Sequence, residues 1–296
     1  MFGRLSARID LPSAPSALAH VIHAATDKHA TTHDLAAAVL TDPSLTAKVL
    51  RIANSAQHSD AQEIQTVSEA IARLGISPVR NLAASAPVVE AVLPGRMFPG
   101  FSWECMWTHC VICGFAAKAI WTHLGWESHK EGEKAFIAGL VHDIGKLVLA
   151  RALPRKFARV VDACREQGCD MVQAERQILS TDHAQTGAKL AHEWNLPAEL
   201  RAAIAHHHDF SVASKHPDLA AIVHAADLVA RKIQGDCVLE SETQVDLERV
   251  ARLVGIEAYD LARIAAGVRD RFEQNGSALA WSENSCRTYV ESRAAG

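Results

Sequence analysis

The sequence predicts an all-α protein folded as two closely associated helical halves, and three observations carry that expectation. Helix start and stop signals recur roughly every 10 to 20 residues along the chain. Alternating, β-branched runs of the kind that form strands are nearly absent. Hydrophobic residues make up 49% of the 296 positions and aromatics only 5%. Abundant alanine in such a chain favours close-packed helices over strands.

The elements follow in order. Two or three helices are expected over roughly residues 15 to 60. One of them begins in "TDPSLTAKVLRIANSA", with Asp42 as N-cap, Pro43 at the first helical position, and Leu45, Val49 and Ile52 on one face. "TVSEAIARLG" opens with a capping box, Thr66 and Glu69, and stops at Gly75. The proline-marked "LPGRMFPGFS", residues 93–102, reads as a junction between the halves. Beyond it, helices are expected over about 102–124 and about 133–151, then shorter ones to about 232. "GDCVLESETQVD" is a polar break before one or two C-terminal helices, and the final "ESRAAG" is expected to fray. The expected division is 11–95, 96–233 and a C-terminal helical extension over 234–296.

Composition excludes some classes of function. Net charge is −4, without the basic footprint of a non-specific nucleic-acid binder, so nucleic acid is not an expected partner. No apolar run approaches a membrane span and the N-terminus lacks a secretory apolar region. Seven cysteines, an odd number without a paired framework, fit a reducing cytoplasm. Cys110 and Cys113 form a lone C-x-x-C and are expected to be packing thiols. His20, His23, His29 and His33 are expected on the surface. Arg151, Arg155 and Arg159, with Lys156, form either a solvated face or a docking surface for an acidic partner or phosphate.

The chemistry concentrates in "GLVHDIGKLVLA", residues 139–150. His142 and Asp143 interrupt an apolar helical run, and a bare carboxylate bordering a core face is costly unless paired or bound to a cation. Gly139 and Gly145 flank the pair and leave room for a neighbouring helix or a ligand. His109 lies on a similarly apolar stripe, His183 follows the helix cap Asp182, His207 and His208 end the next helix, and Asp227 lies on the stripe of "LAAIVHAADLVA". Neutral imidazoles and carboxylates form a normal ligand set for zinc, iron or manganese, and Asp143 could bridge two ions.

His109, then His142-Asp143, then Asp227 resemble the H…HD…D ligand set of the HD superfamily of metal-dependent phosphohydrolases. His183 and the His207–His208 pair are similar to the larger set of its HD-GYP branch. "DPSLTAKVLRIANSA", "SEAIARLGISPVRNLA" and "DHAQTGAKLAHEWNLPAELRAAIAHHHD" more specifically resemble the HDOD family, the HD-related output domains of bacterial signalling proteins. The resemblance covers roughly residues 11 to 232 and implies that the second half is an HD-like helical bundle. It also implies a divalent metal (Fe, Mn or Zn), as one ion, as a pair or absent, held by His109, His142, Asp143, His183, His207, His208 and Asp227.

Catalytic roles would fall to Asp143 and to Lys146, which matches a lysine that faces substrate phosphate in HD-GYP enzymes. From its position alone Lys146 is equally a solvated residue at the helix edge. The chain departs from HD-GYP in two places: no G-Y-P segment follows "HHHD", and Cys105 stands where a third metal would need a glutamate. His206 and His224 are neighbours of the set without an assigned ligand role. Two functions are therefore carried forward. One is a cytoplasmic regulatory module that contacts a signalling protein or a nucleotide ligand. The other is a metal-dependent phosphohydrolase acting on a nucleotide or cyclic nucleotide, with little turnover of cyclic di-GMP expected because the G-Y-P segment is missing.

Overall fold

The structure is a computed structural model that describes residues 11–27, 29–55, 63–86, 98, 101–125, 128–209, 217–234 and 247–275. The expected polar break at 235–246, the C-terminal end expected to fray, and residues 93–97, 99 and 100 of the expected junction lie outside the described residues. Among the described residues there is helix and no strand, so the all-α expectation holds.

The N-terminal helices are α1 (Pro15–Thr26), α2 (Thr32–Val39), α3 (Pro43–Ser55), α4 (Val67–Leu74) and α5 (Ile76–Ser85). Asp42 caps α3 as its sequence position implies: its carboxylate accepts from Leu45 N at 2.7 Å. It accepts as well from Ala14 N and Ser13 Oγ ahead of α1, and from Trp107 Nε1, 65 residues away. Burial raises the Asp42 carboxyl above the ordinary range even against these donors. The capping box at Thr66 and Glu69 is present, a feature that contributes about 1 kcal/mol. Gly75, at φ 84, ends α4 and lets α5 start at the next residue. Asn54 and Ser55 end α3 as expected, and Asn54 bonds both the N–H and the C=O of Ile64. That pair satisfies backbone groups leading into α4.

The remaining helices are α6 (Trp103–His123), α7 (His129–Val141), α8 (Ile144–Ala152), α9 (Pro154–Gln167), α10 (Met171–Leu179), α11 (His183–Glu193), α12 (Ala198–His206), α13 (Pro217–Gln234), α14 (Leu247–Val254) and α15 (Ala258–Asn275). The long α6 is buried along most of its length and packs against α7, α13 and α15. Helix α3 packs on α7, and the Lys130–Glu69 ion pair at 2.9 Å joins α7 to α4. Cys110 and Cys113 are fully buried packing thiols, held protonated by that burial. His23, His29 and His33 are exposed and His20 is partly so.

One expectation needs correction. The single helix expected over 133–151 is two helices, α7 and α8, broken at His142 and Asp143. Asp143 sits at φ −93, ψ 9, the bridge region, where the chain turns out of the helical ladder. The apolar period continues across the break because both helices bury their faces in the same core. Periodicity alone therefore reads the two as one helix. The break matters because it frees the Asp143 side chain from the register of either helix.

Both flanking glycines mark close helix crossings. A Cβ at Gly139 would meet the Cys113 carbonyl oxygen at 2.7 Å, so α7 crosses α6 nearly backbone to backbone. A Cβ at Gly145 would meet the His183 carbonyl oxygen at 1.9 Å and Gly187 N at 2.7 Å. No side chain fits between α8 and α11. These two crossings bring His109, on α6, and His183, on α11, to the turn that carries His142 and Asp143.

Candidate metal centre

His109, His142, Asp143, His183, His207 and Asp227 are all at most 1% exposed. They come from α6, the α7–α8 turn, the start of α11, the end of α12 and the middle of α13. Asp143 stands at their centre, and its two oxygens face different partners. Oδ1 lies 3.2 Å from His183 Nε2 and 3.8 Å from His207 Nε2. Oδ2 lies 3.3 Å from His142 Nε2 and 3.9 Å from His109 Nε2. Asp227 Oδ1 closes the second group, 3.0 Å from His109 Nε2 and 3.9 Å from His142 Nε2. His208, partly exposed, closes the first, with Nε2 2.8 Å from His183 Nε2. The donor atoms of His183, His207 and His208 lie within 4.8 Å of one another, as do those of His109, His142 and Asp227.

Each buried imidazole has its outer nitrogen fixed by an oxygen acceptor. His142 Nδ1 donates to the Gly139 carbonyl at 2.6 Å and His207 Nδ1 to the Ile204 carbonyl at 2.9 Å. His183 Nδ1 is 2.7 Å from Glu175 Oε2, which also accepts from His183 N at 2.8 Å. Gln234 gives its Nε2–H to the Cys105 carbonyl, leaving Oε1 to accept from His109 Nδ1 at 3.2 Å. With Nδ1 bonded outward, each inward Nε2 is the atom left to carry a proton or to meet a metal, the arrangement of metal-binding histidines. Glu175 and Gln234 were missed in the sequence. The only signal for Glu175 was a carboxylate at a position that α10 fully buries, and α10 was not recognised as a neighbour of the site.

The charges test whether a cation fits. His207 is held well below its ordinary value by burial and by His142 and His183, so it is neutral, and its Nε2 is buried without a hydrogen-bond partner. His109 Nε2 is likewise buried outside hydrogen-bonding geometry, although it faces Asp227. Burial alone would raise Asp143, but His142 and Lys146 hold it well below the carboxylate range. Burial likewise opposes ionisation of Asp227, which Arg231 and His109 reverse. Burial opposes charge on His142 too, yet Asp143 keeps it well above the usual imidazole value. Lys146 and Arg231 each give one of these two carboxylates a cation, and the oxygens that also face imidazole Nε2 atoms can share a proton or a metal there. The donor set fits a divalent metal.

Lys146 is buried, not solvated at the helix edge: it is 1% exposed, and Nζ lies 2.6 Å from Asp143 Oδ2. Arg231 forks onto Asp227 through Nε at 3.0 Å and Nη2. This partner, one turn on along α13, was also missed. His224 donates from Nδ1 to the His207 carbonyl and so braces a candidate ligand. Cys105, on the first turn of α6, is buried, and its carbonyl accepts from Gln234 beside the site. Arg151, Arg155, Lys156 and Arg159 are exposed, split between α8 and α9.

Comparison with known proteins assigns the fold to a family. The sequence model of the HDOD domain matches residues 11–210. The chain belongs to the HDOD family. An uncharacterised protein of Treponema pallidum (strain Nichols) is 26% identical over 239 residues, which are 78% of this HDOD chain and 44% of that protein. The chain thus spans less than half the length of that curated relative. Among solved structures, the MmoQ response regulator of Methylococcus capsulatus superposes with a TM-score of 0.67 at 24% identity, covering 87% of this chain and 98% of the other. A candidate phosphohydrolase of Shewanella amazonensis SB2B is 27% identical, with a TM-score of 0.51 and 91% and 93% of the two chains covered. No described helix of this HDOD protein is long and apolar enough to cross a membrane.

Proposed function

We propose that this HDOD protein is a signalling module whose HD-like centre holds two divalent cations (Fe, Mn or Zn), and whose output is contact with a protein partner or a nucleotide ligand. The observation that carries the metal assignment is the split of Asp143: each of its oxygens faces a separate histidine group. His183, His207 and His208 would hold one ion, and His109, His142 and Asp227 the other. Imidazole and carboxylate ligands suit all three metals. In this reading residues 11–95 and 96–233 act as two helical subdomains, with 234–296 as an extension of the second.

Two features favour regulation over turnover. The donor atoms other than those of His208 are in a dry interior, and Lys146 is bonded to Asp143. The G-Y-P segment of HD-GYP enzymes is absent from the sequence after His208. The complete ligand set and the likeness to a candidate phosphohydrolase support a second reading, hydrolysis of a nucleotide or cyclic nucleotide. A bound divalent pair supplies Lewis acidity toward a phosphoryl oxygen and a bound water of lowered pKa. In that reading Asp143 positions the pair, and Lys146 would have to leave Asp143 to meet the phosphate.

The test is metal analysis of anaerobically purified protein, with thermal unfolding of wild type and Asp143→Asn in chelator and in Mn(II). A native-state ligand at a hundredfold excess over its dissociation constant adds about 2.7 kcal/mol, and Asp143→Asn should lose that gain. Identical midpoints in all four conditions would refute the metal centre. Rapid hydrolysis of any nucleotide in a turnover screen, abolished in Asp143→Ala, would replace regulation by catalysis.

A further inference from the structure

A second cavity lies away from the metal centre. It has a volume of about 780 Å³ and is walled by α2, α4, α6, α7 and α15. That volume falls within the range of small-molecule sites. Its walls are mostly apolar: Leu40 from α2, Phe115 from α6, Phe136 from α7, and Ile264 and Val268 from α15. Small residues hollow it out. Gly267 is an exposed residue of the lining, and a Cβ there would meet nothing within 4 Å, so α15 leaves an open edge at the rim of this space.

One cation stands in the apolar wall. Lys118 is half-buried, and its stem lies over Gly132 of α7, whose added Cβ would meet Lys118 Cε at 3.6 Å. Among the described residues its ammonium has no hydrogen-bond or ion-pair partner. Glu133 and His123 share the wall with Lys118 and are held by other partners. Glu133 accepts from the N–H and hydroxyl of the uncharged Ser68, and His123 is paired with Asp260 at 3.5 Å. An ammonium partly withdrawn from water is stabilised by an anion, and the space beside it favours an apolar body.

We propose that this cavity is a binding site for an amphipathic anion, an acyl-type apolar chain ending in a carboxylate that pairs with Lys118. The proposal is independent of the reading of the metal centre. The probe is sodium dodecanoate, titrated calorimetrically below its micellar range into the full chain. Dodecyltrimethylammonium, with the same tail and the opposite charge, serves as the comparison. One dodecanoate per chain is expected, weakened about tenfold or more in Lys118→Met and weakened in Gly267→Phe, which puts a ring at the cavity rim. Helical circular dichroism and metal content should stay as in wild type in both variants. If Gly267→Phe melts early, Ala119→Phe on the α6 wall fills the same space. Absence of saturable dodecanoate binding would overturn the proposal. So would equal binding of the cationic amphiphile, or affinity unchanged by both phenylalanine variants.

Discussion

Gly145→Ala tests how the fold assembles the centre. An added Cβ would lie 1.9 Å from the His183 carbonyl oxygen and 2.7 Å from Gly187 N, both backbone atoms that no rotamer change can move. A carbon and a carbonyl oxygen sit no closer than about 3.3 Å in favourable contacts. Helices α8 and α11 must therefore separate by more than about 1 Å. Asp143 adjoins α8 and His183 opens α11, with 3.2 Å between Oδ1 and Nε2. Coordination distances tolerate only about 0.2 Å, so the same displacement that relieves the clash would disperse the candidate ligands. Overpacking costs about 1–3 kcal/mol where side chains can yield, and a backbone clash belongs at the top of that range. A loss of about 3 kcal/mol lowers the midpoint by roughly 5 °C in a chain of this size. The assay is thermal unfolding in chelator, paired with Mn(II) titration against a competing chelator. Gly267→Ala is the contrast: with open space around it, helix propensity alone should raise stability by up to about 1 kcal/mol. A Gly145→Ala protein that melts within about 1 °C of wild type and binds Mn(II) as tightly would refute the crossing argument.

Three other substitutions probe the supports of the site and the fold. Glu175→Gln removes the charge behind His183 and should weaken Mn(II) binding about 10- to 100-fold in the same competition assay. Burial opposes charge on His183 but Glu175 raises its value to about 9, above the unfolded 6.5. In chelator, its contribution to stability is therefore complete below about pH 6.5 and disappears as pH climbs through about 9. Unfolding measured across that window should be flatter for Glu175→Gln, and an unchanged curve would count against the pairing. Asp42→Asn puts an amide N–H₂ against two of the four donors that the carboxylate accepts, and denaturant unfolding should show a loss of about 2–5 kcal/mol. Asn54→Ala leaves both backbone groups of Ile64 without their partner, with a loss of about 1–3 kcal/mol by the same measurement and helix content otherwise preserved.

The helices were legible in the sequence wherever local signals suffice. Asp42, Thr66 with Glu69, and Asp182 announce helix starts because a cap bonds backbone groups two or three residues away. His109, His142, Asp143, His183, His207, His208 and Asp227 were legible as a set, through costly polar groups on apolar stripes and through the family resemblance. Their positions in the chain could not show that Asp143 divides its oxygens between two histidine groups. Glu175, Gln234 and Arg231 escaped because a polar residue behind a ligand looks like any other polar residue until its neighbour is known. Lys146 and the α7–α8 break were ambiguous for a related reason. A helix edge becomes solvent or interior only when other helices cover it, and one apolar period can serve two helices facing one core. Local signals in the chain were enough for the class of fold, the caps and the chemistry available. Tertiary structure alone decided which groups share an interior, because glycine-mediated crossings between α6 and α7, and between α8 and α11, join segments separated by dozens of residues.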